Sequence, residues 1–196
     1  MVAQTEHLVA LPSLGPLFPG HLLVLPKLHV ETFASCVVDV IESLEEFVRA
    51  LVLHLDRATP VAIFEHGAKA STGGSCGVYH AHIHIVPMPS AVPMDTVLPM
   101  ASRRSNTLSE ALRSLGNRDQ YLLYGTLDGY CYVDDQELLS GVQSQYIRKQ
   151  LADTAAPGTP WDWRLAEGVD ASILRTMVHF RSPSTSSDVN SVLVSR

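Results

Sequence analysis

The run His80-Ala81-His82-Ile83-His84-Ile85-Val86 sets three of the chain's nine histidines at every second position. On an extended strand side chains alternate faces, so His80, His82 and His84 would share one surface while Ala81, Ile83 and Ile85 face an apolar core. Three chemistries fit such a row. It is a solvated face carrying imidazoles for no particular purpose, though a strict alternating triple is hard to obtain by chance. It is a metal site, because neutral imidazoles at i and i+2 can share one zinc, with Glu65 on the preceding strand the nearest candidate carboxylate. Or it is a nucleophilic site: a neutral imidazole nitrogen attacks phosphorus near neutral pH, and a covalent intermediate divides one hard displacement into two easier ones. In that third case one neighbouring imidazole can fix the nucleophile's tautomer while another stabilises phosphoryl charge or protonates the leaving group.

The elements that must position the row are legible from periodicity and punctuation. Residues 7–11 and 21–26 are short apolar runs bounded by Pro and Gly and read as strands joined by the turn-rich stretch 12–20. From 35 to 56, Val37, Val38, Ile41, Leu44, Phe47, Val48, Leu51, Val52 and Leu55 recur at the spacing of an amphipathic helix. A strand is predicted over 61–65, a Gly- and Ser-rich loop over 67–77, and the histidine strand over 78–86, closed by Pro87, Pro89 and Pro93. Further on, helices are predicted over 107–115, 142–152 and 171–180, with a hairpin of 121–124 and 130–133 around 127–129. Residues 181–196, rich in Ser, are expected to be mobile.

Bulk properties narrow the partners. At 196 residues, 46% apolar and 17% charged, the chain fits one well-cored domain with a C-terminal elaboration. A net charge of -6 disfavours polynucleotide binding, which relies on clustered Lys and Arg, yet leaves room for a small anion held by backbone N–H groups and a few imidazoles. Cys36, Cys76 and Cys131 form no CxxC pair and point to a reducing, cytoplasmic setting. With no apolar run near the ~20 residues of a spanning helix and no basic-then-apolar start, neither membrane insertion nor secretion is expected.

The HAHIHIV run resembles the HφHφHφφ motif of the histidine triad (HIT) family, and Pro19-Gly20-His21-Leu22-Leu23-Val24-Leu25-Pro26-Lys27 resembles that family's earlier Pro-Gly-His strand. The two motifs occur in the family's order and cover, with the helix between them, roughly residues 5–90. The resemblance implies an α+β fold of HIT type: a mainly antiparallel sheet, one long helix, and a C-terminal extension. It divides the chain into a core at 1–90, an extension at 91–180 packed on it, and a tail at 181–196. It also implies that His82 attacks the α-phosphorus and is nucleotidylated, that His84 binds phosphoryl oxygens and the leaving atom, and that His80 holds His82 in its reactive tautomer. His21 corresponds to a fourth histidine behind the triad. No cofactor or metal is implied. The implied substrates are small nucleotide conjugates, purine favoured, such as phosphoramidates and dinucleoside polyphosphates, and pairing of two copies into a homodimer is implied as well.

Two positions depart from the family pattern. Ser75-Cys76-Gly77 stands where many members have Gly-Gln-Ser or Gly-Gln-Thr before the triad, so the phosphate-binding hydroxyl is displaced to Ser75. Ser13, followed by Pro16, stands where many carry a ribose-binding Asn or Asp. Beyond the motifs, His66 lies near the expected site as either a ligand contact or a surface loop residue. Cys76 is a candidate reactive thiol or a structural small residue. Gln145 and Arg148, three apart, are placed to reach outer phosphates or a leaving group, or else to form a solvated helix side with Trp161 and Trp163 in the core. Besides hydrolysis through nucleotidyl-His82, the residues admit transfer to another acceptor, a metal-dependent hydrolase, and a non-catalytic nucleotide-binding protein.

Overall fold

The computed structural model describes residues 1–55, 58–72, 78–100 and 102–181. The expected tail beyond Arg181 and the triplet Ser75, Cys76 and Gly77 lie outside the described residues. In chain order the strands and helices are β1 (Ala3–Gln4), β2 (Leu8–Pro12), β3 (Leu22–Pro26), α1 (Val38–Leu53), β4 (Val61–Ala68), β5 (Ile83–Pro87), α2 (Met94–Val97), β6 (Arg103–Ser105), α3 (Leu108–Leu115), β7 (Gln120–Thr126), β8 (Gly129–Val133), α4 (Gln136–Leu139), α5 (Tyr146–Ala155) and α6 (Val169–Arg181). The architecture is α+β. One sheet runs β1-β2-β3-β5-β4-β7-β8-β6, with every pairing antiparallel. Strands after residue 90 thus extend the sheet of those before it rather than forming a layer of their own.

Alternation along the strands divides the apolar residues between two faces. One face carries Leu8, Ala10, Leu22, Val24, Ile63, Ile83 and Ile85, covered by Ile41, Leu44, Phe47, Val48 and Leu51 of α1 and by Leu108, Leu112 and Leu115 of α3. The other carries Ala62, Phe64, Val86, Leu122 and Tyr124, covered by Val97 of α2 and by Ile147, Leu151 and Ala152 of α5. Because β4 and β7 are covered on both sides, they are buried along nearly their whole length rather than at alternate residues.

Three of the elements that differ from their predicted bounds do so for a clear local reason. β4 continues to Ala68, three residues past the run of β-branched content, because β7 pairs with it as far as Ala68 opposite Gln120. Gly67 permits this: a Cβ there would meet the Tyr121 ring at 2.3 Å. β5 begins only at Ile83, so His80 and His82 lie before the regular strand. The Ala81 N–H is drawn to the Val30 carbonyl at 2.7 Å, and the His80 ring is drawn to the Pro26 carbonyl at 3.0 Å. α5 starts at Tyr146 rather than 142, with Gln145 in the left-handed region (φ 62°) at its N-cap. Among the described residues no helix is long and apolar enough to cross a membrane.

Gly67→Ala should lower the unfolding free energy by about 1–3 kcal/mol, the usual cost of forcing volume into a filled core, as read from urea denaturation. A variant as stable as the parent would mean that the Tyr121 ring is free to move aside.

Candidate functional site

The site lies on the face covered by α5. His84 of β5 stands between Leu23 of β3 and Phe64 of β4, its two strand partners. Phe64 stacks flat on the His84 ring, centroids 4.3 Å apart and planes 9° apart. The His82 ring meets the same imidazole edge on at 5.0 Å. His66, two residues beyond Phe64 on β4, faces the same cavity.

Hydrogen bonds assign a proton to each of the key rings. Fully buried His21 accepts the Leu17 N–H at Nδ1, 3.1 Å away. Its proton is therefore on Nε2, which donates to His84 Nδ1 at 2.8 Å. The proton of neutral His84 consequently sits on Nε2. His82 donates from Nδ1 to the His80 carbonyl oxygen at 2.8 Å, which leaves the Nε2 lone pair of His82 unprotonated.

It is the His80 carbonyl, not its ring, that fixes the His82 tautomer. The His80 imidazole turns away, donating from Nε2 to the Pro26 carbonyl at 3.0 Å and packing edge on against His29. This corrects the role expected of the His80 side chain. A strand uniform through residue 80 would have put its ring beside His82, but the regular strand has not yet begun there.

Electrostatics keep the imidazoles neutral. Burial pushes His21 and His84 well below the ordinary imidazole value, with the Arg148 guanidinium and neighbouring imidazoles adding to the effect. His82 is lowered as well, chiefly by burial and against the opposing pull of the His80 carbonyl. His66 is held down to about 4, again by burial first and His82 second.

The C-terminal segment closes the site from above. Arg148, 4% exposed, donates from Nε to the Trp161 carbonyl at 2.9 Å and from an Nη to the Gly15 carbonyl at 2.7 Å. Among the described residues no carboxylate is hydrogen-bonded to it, and burial draws its pKa down to about 10. The Gln145 amide is committed within the segment: Nε2 donates to Asp162 at 2.9 Å and Oε1 accepts the Trp163 N–H at 3.1 Å. It clamps the chain over the site rather than offering its amide to a ligand's phosphates. Gly15 fits under this strap only without a side chain, since a Cβ would lie 2.4 Å from Trp163.

Two hollows with shared walls result. One, of about 130 Å3, is lined by Ser13, Leu14, Gly15, Leu23, Val78, His82, His84, Arg148 and Trp163. The other, of about 60 Å3, is lined by Phe64, His66, Val78, His82, His84, Ser144, Gln145, Ile147, Arg148 and Trp163. Val78, His82, His84, Arg148 and Trp163 are common to both. The structure thus brings Ser13, His21, His66, His82, His84, Gln145 and Arg148 together. Phe64 and Trp163 belong to the site but were not assigned to it from sequence. Phe64 was discoverable, since it shares a strand face with His66. Trp163 is 41% exposed at the mouth instead of buried, and only Trp161 packs into the core. Glu65, weighed above as a metal ligand, is on the opposite face, where its carboxyl takes the Phe33 N–H at 3.1 Å and the Tyr121 hydroxyl.

An antiparallel α+β sheet with a buried relay of neutral imidazoles on one face defines a class of histidine-centred proteins. The chain belongs to the HIT-like family. It is 36% identical over 97 residues to an uncharacterized HIT-like protein of Saccharolobus solfataricus, a match covering 47% of this chain and 67% of that one. It is 29% identical over 90 residues to an uncharacterized 16.1 kDa HIT-like protein of Mycoplasma pneumoniae, covering 44% and 60%. A family model described as "Protein similar to CwfJ C-terminal" matches residues 2–98. Among solved structures, a hypothetical histidine triad nucleotide-binding protein of Sulfolobus tokodaii is 22% identical with a TM-score of 0.38, covering 58% of this chain and 78% of that one. A Hit-like protein of Bartonella henselae involved in cell-cycle regulation is 24% identical with a TM-score of 0.32, covering 44% and 67%.

The buried imidazoles tie stability to pH. Unfolded histidines take up protons near 6.5, whereas folded His66 refuses one until about 4 and His21 and His84 lie well below 6.5 too, so acid draws the chain toward the unfolded state. Glu65 acts oppositely. Its folded value, raised from 4.5 to about 7, makes the folded chain bind a proton first as pH falls through that window. Three imidazoles outweigh one carboxyl, so the urea midpoint should be lower at pH 5.5 than at pH 7.5. An unchanged or higher midpoint at pH 5.5 would contradict the neutral, buried state of these rings.

Proposed function

We propose that the protein cleaves nucleotide conjugates at the α-phosphorus through a covalent nucleotidyl-His82. The observation that carries this reading is the proton relay Leu17 to His21 to His84, set beside the His80 carbonyl bond to His82. It leaves a lone pair on His82 Nε2 and a donor on His84 Nε2 in one cavity.

In the first step His82 Nε2 forms a bond to phosphorus as the bond to the leaving group breaks. The His84 Nε2–H stabilises the phosphoryl oxygen charge and supplies a proton to the departing atom. As the imidazole becomes cationic, its Nδ1–H bond to the His80 carbonyl strengthens. In the second step water attacks phosphorus, its released proton restores the His84 Nε2–H, the N–P bond breaks, and nucleoside monophosphate leaves with His82 neutral again. Buried Arg148 contributes positive potential to the site of a chain whose net charge is -6.

The hollow lined by Ser13 and Leu23 suits the nucleoside side, by the motif resemblance that places Ser13 at the ribose position. Ser75, Cys76 and Gly77 are assigned to the phosphate by the same resemblance, which also favours a purine and a homodimer. An adenosine phosphoramidate, a dinucleoside tetraphosphate and an adenylated amino acid form the test panel, run with chelator and with or without added phosphate. Nucleoside monophosphate should appear despite chelator and fall at least a thousandfold, on the order of loss of a covalent nucleophile, in His82→Ala. Nucleoside diphosphate formed with added phosphate would make the enzyme a transferase through the same intermediate. Activity surviving in His82→Ala would remove His82 as the nucleophile.

A further inference from the structure

Arg148 projects from the first turn of α5 and is 4% exposed, and a buried cation is costly unless partners offset its charge. Its hydrogen-bond partners are two neutral carbonyls. Nε donates to Trp161 at 2.9 Å and Nη2 to Gly15 at 2.7 Å. The Asp162 carboxylate acts on it only through space. That carboxylate is already engaged by Arg164, from Nε at 2.8 Å and Nη2 at 2.6 Å, and by the Gln145 amide at 2.9 Å. A guanidinium carries five N–H groups. The two carbonyls use one from Nε and one from Nη2, and among the described residues Nη1 makes no hydrogen bond. The fork is therefore anchored along one edge and unspent along the other, and with its pKa at about 10 it is charged at neutral pH.

The place of that unspent edge is set by what Arg148 shares walls with. It lines both hollows together with His82 and His84. Groups common to the two hollows border the region between them, where a phosphorus attacked by His82 has to lie. The guanidinium is close enough to act on the His21, His82 and His84 rings. We propose that Arg148 is a catalytic residue whose Nη1 edge donates to a non-bridging oxygen of the phosphoryl group under attack. This rests on the functional reading above. It moves Arg148 from the outer phosphates, where its helix position alone would put it, to the phosphorus that reacts.

The chemistry divides between two side chains. As the bond from His82 Nε2 to phosphorus forms and the leaving bond breaks, His84 Nε2–H gives its proton to the departing atom, while Arg148 holds the non-bridging oxygen and stays cationic through both steps. A donor already fixed in place stabilises that charge without reorganising when it develops. The two carbonyl anchors supply the fixing: one belongs to the loop that carries Ser13, the other to the strap. Lysine would keep the charge but, as a point cation without the planar fork, would not hold both anchors and present a third nitrogen to the phosphoryl group.

The test compares an adenosine conjugate with its two α-phosphorothioate diastereomers, in which sulfur replaces one or the other non-bridging oxygen, in the parent, Arg148→Ala, Arg148→Lys and Gln145→Ala. On the oxygen substrate Arg148→Ala should lose roughly a hundred- to a thousandfold in kcat, the size of a lost oxyanion donor, and its diastereomer rate ratio should change by about tenfold or more. Added guanidinium chloride should restore part of the lost rate. Arg148→Lys should change the ratio in the same direction, and it decides the matter if Arg148→Ala does not fold. Gln145→Ala loosens the strap but leaves the guanidinium in place, so it should keep the parent's ratio whatever its rate. A ratio unmoved in the Arg148 variants, or moved as far in Gln145→Ala, would overturn the proposal and leave Arg148 as an anchor of the strap. A parent that cleaves no conjugate would overturn the functional reading instead. Adenosine monophosphate titrated into the parent would then still decide whether Arg148 meets a phosphoryl oxygen: its Nε–H resonance should shift, and an unmoved resonance would count against the contact.

Discussion

The hydrogen bond from His21 to His84 is the constraint around which the site is arranged. It joins the residue just before β3 to the second residue of β5, two strands already paired through Leu23 and His84. Because His21 is pinned on its other nitrogen by the Leu17 N–H, the proton can occupy only one end of each ring. The turn before β3, the β3–β5 register and the donor face of His84 are thereby one coupled unit. A shift of one residue in that register would turn His84 into the opposite core.

Burial gives the relay its chemical sense. Imidazoles in water are partly protonated near neutrality, and a protonated ring cannot attack phosphorus. Desolvation beneath Phe64 and the strap, reinforced by Arg148, holds His21, His82 and His84 neutral. Arg148 shows the same economy from the other side. Its guanidinium is hydrogen-bonded by two main-chain carbonyls, with the Asp162 carboxylate acting on it only through space.

The two faces of the sheet have different tasks. One is closed by the long helix α1 and by α3, and holds Glu65 among apolar neighbours. The other is left partly open by α5 and roofed by the segment around Trp161–Trp163, where Gln145 and Arg148 serve as clamps. The extension of the chain beyond residue 90 thus supplies both added strands and the upper wall of the cavity.

By itself the sequence determined the α+β class, the long helix, the two motif segments and the histidines that converge, because periodicity and local punctuation are short-range properties written in neighbouring residues. It also placed Ser13, His66, Gln145 and Arg148 near that chemistry. What it could not determine depends on partners distant along the chain. Only the Ala81 bond to Val30 and the His80 bond to the Pro26 carbonyl begin β5 at Ile83 and turn the His80 ring away, so the simple row of three imidazoles on one strand does not form. Only the close approach of Gly15 to Trp163 brings that indole to the mouth of the site, and only the Asp162 and Trp163 contacts turn Gln145 from a ligand candidate into a clamp. Proton placement is tertiary for the same reason: a histidine's tautomer is set by what its far nitrogen touches, and for His84 that partner is 63 residues away.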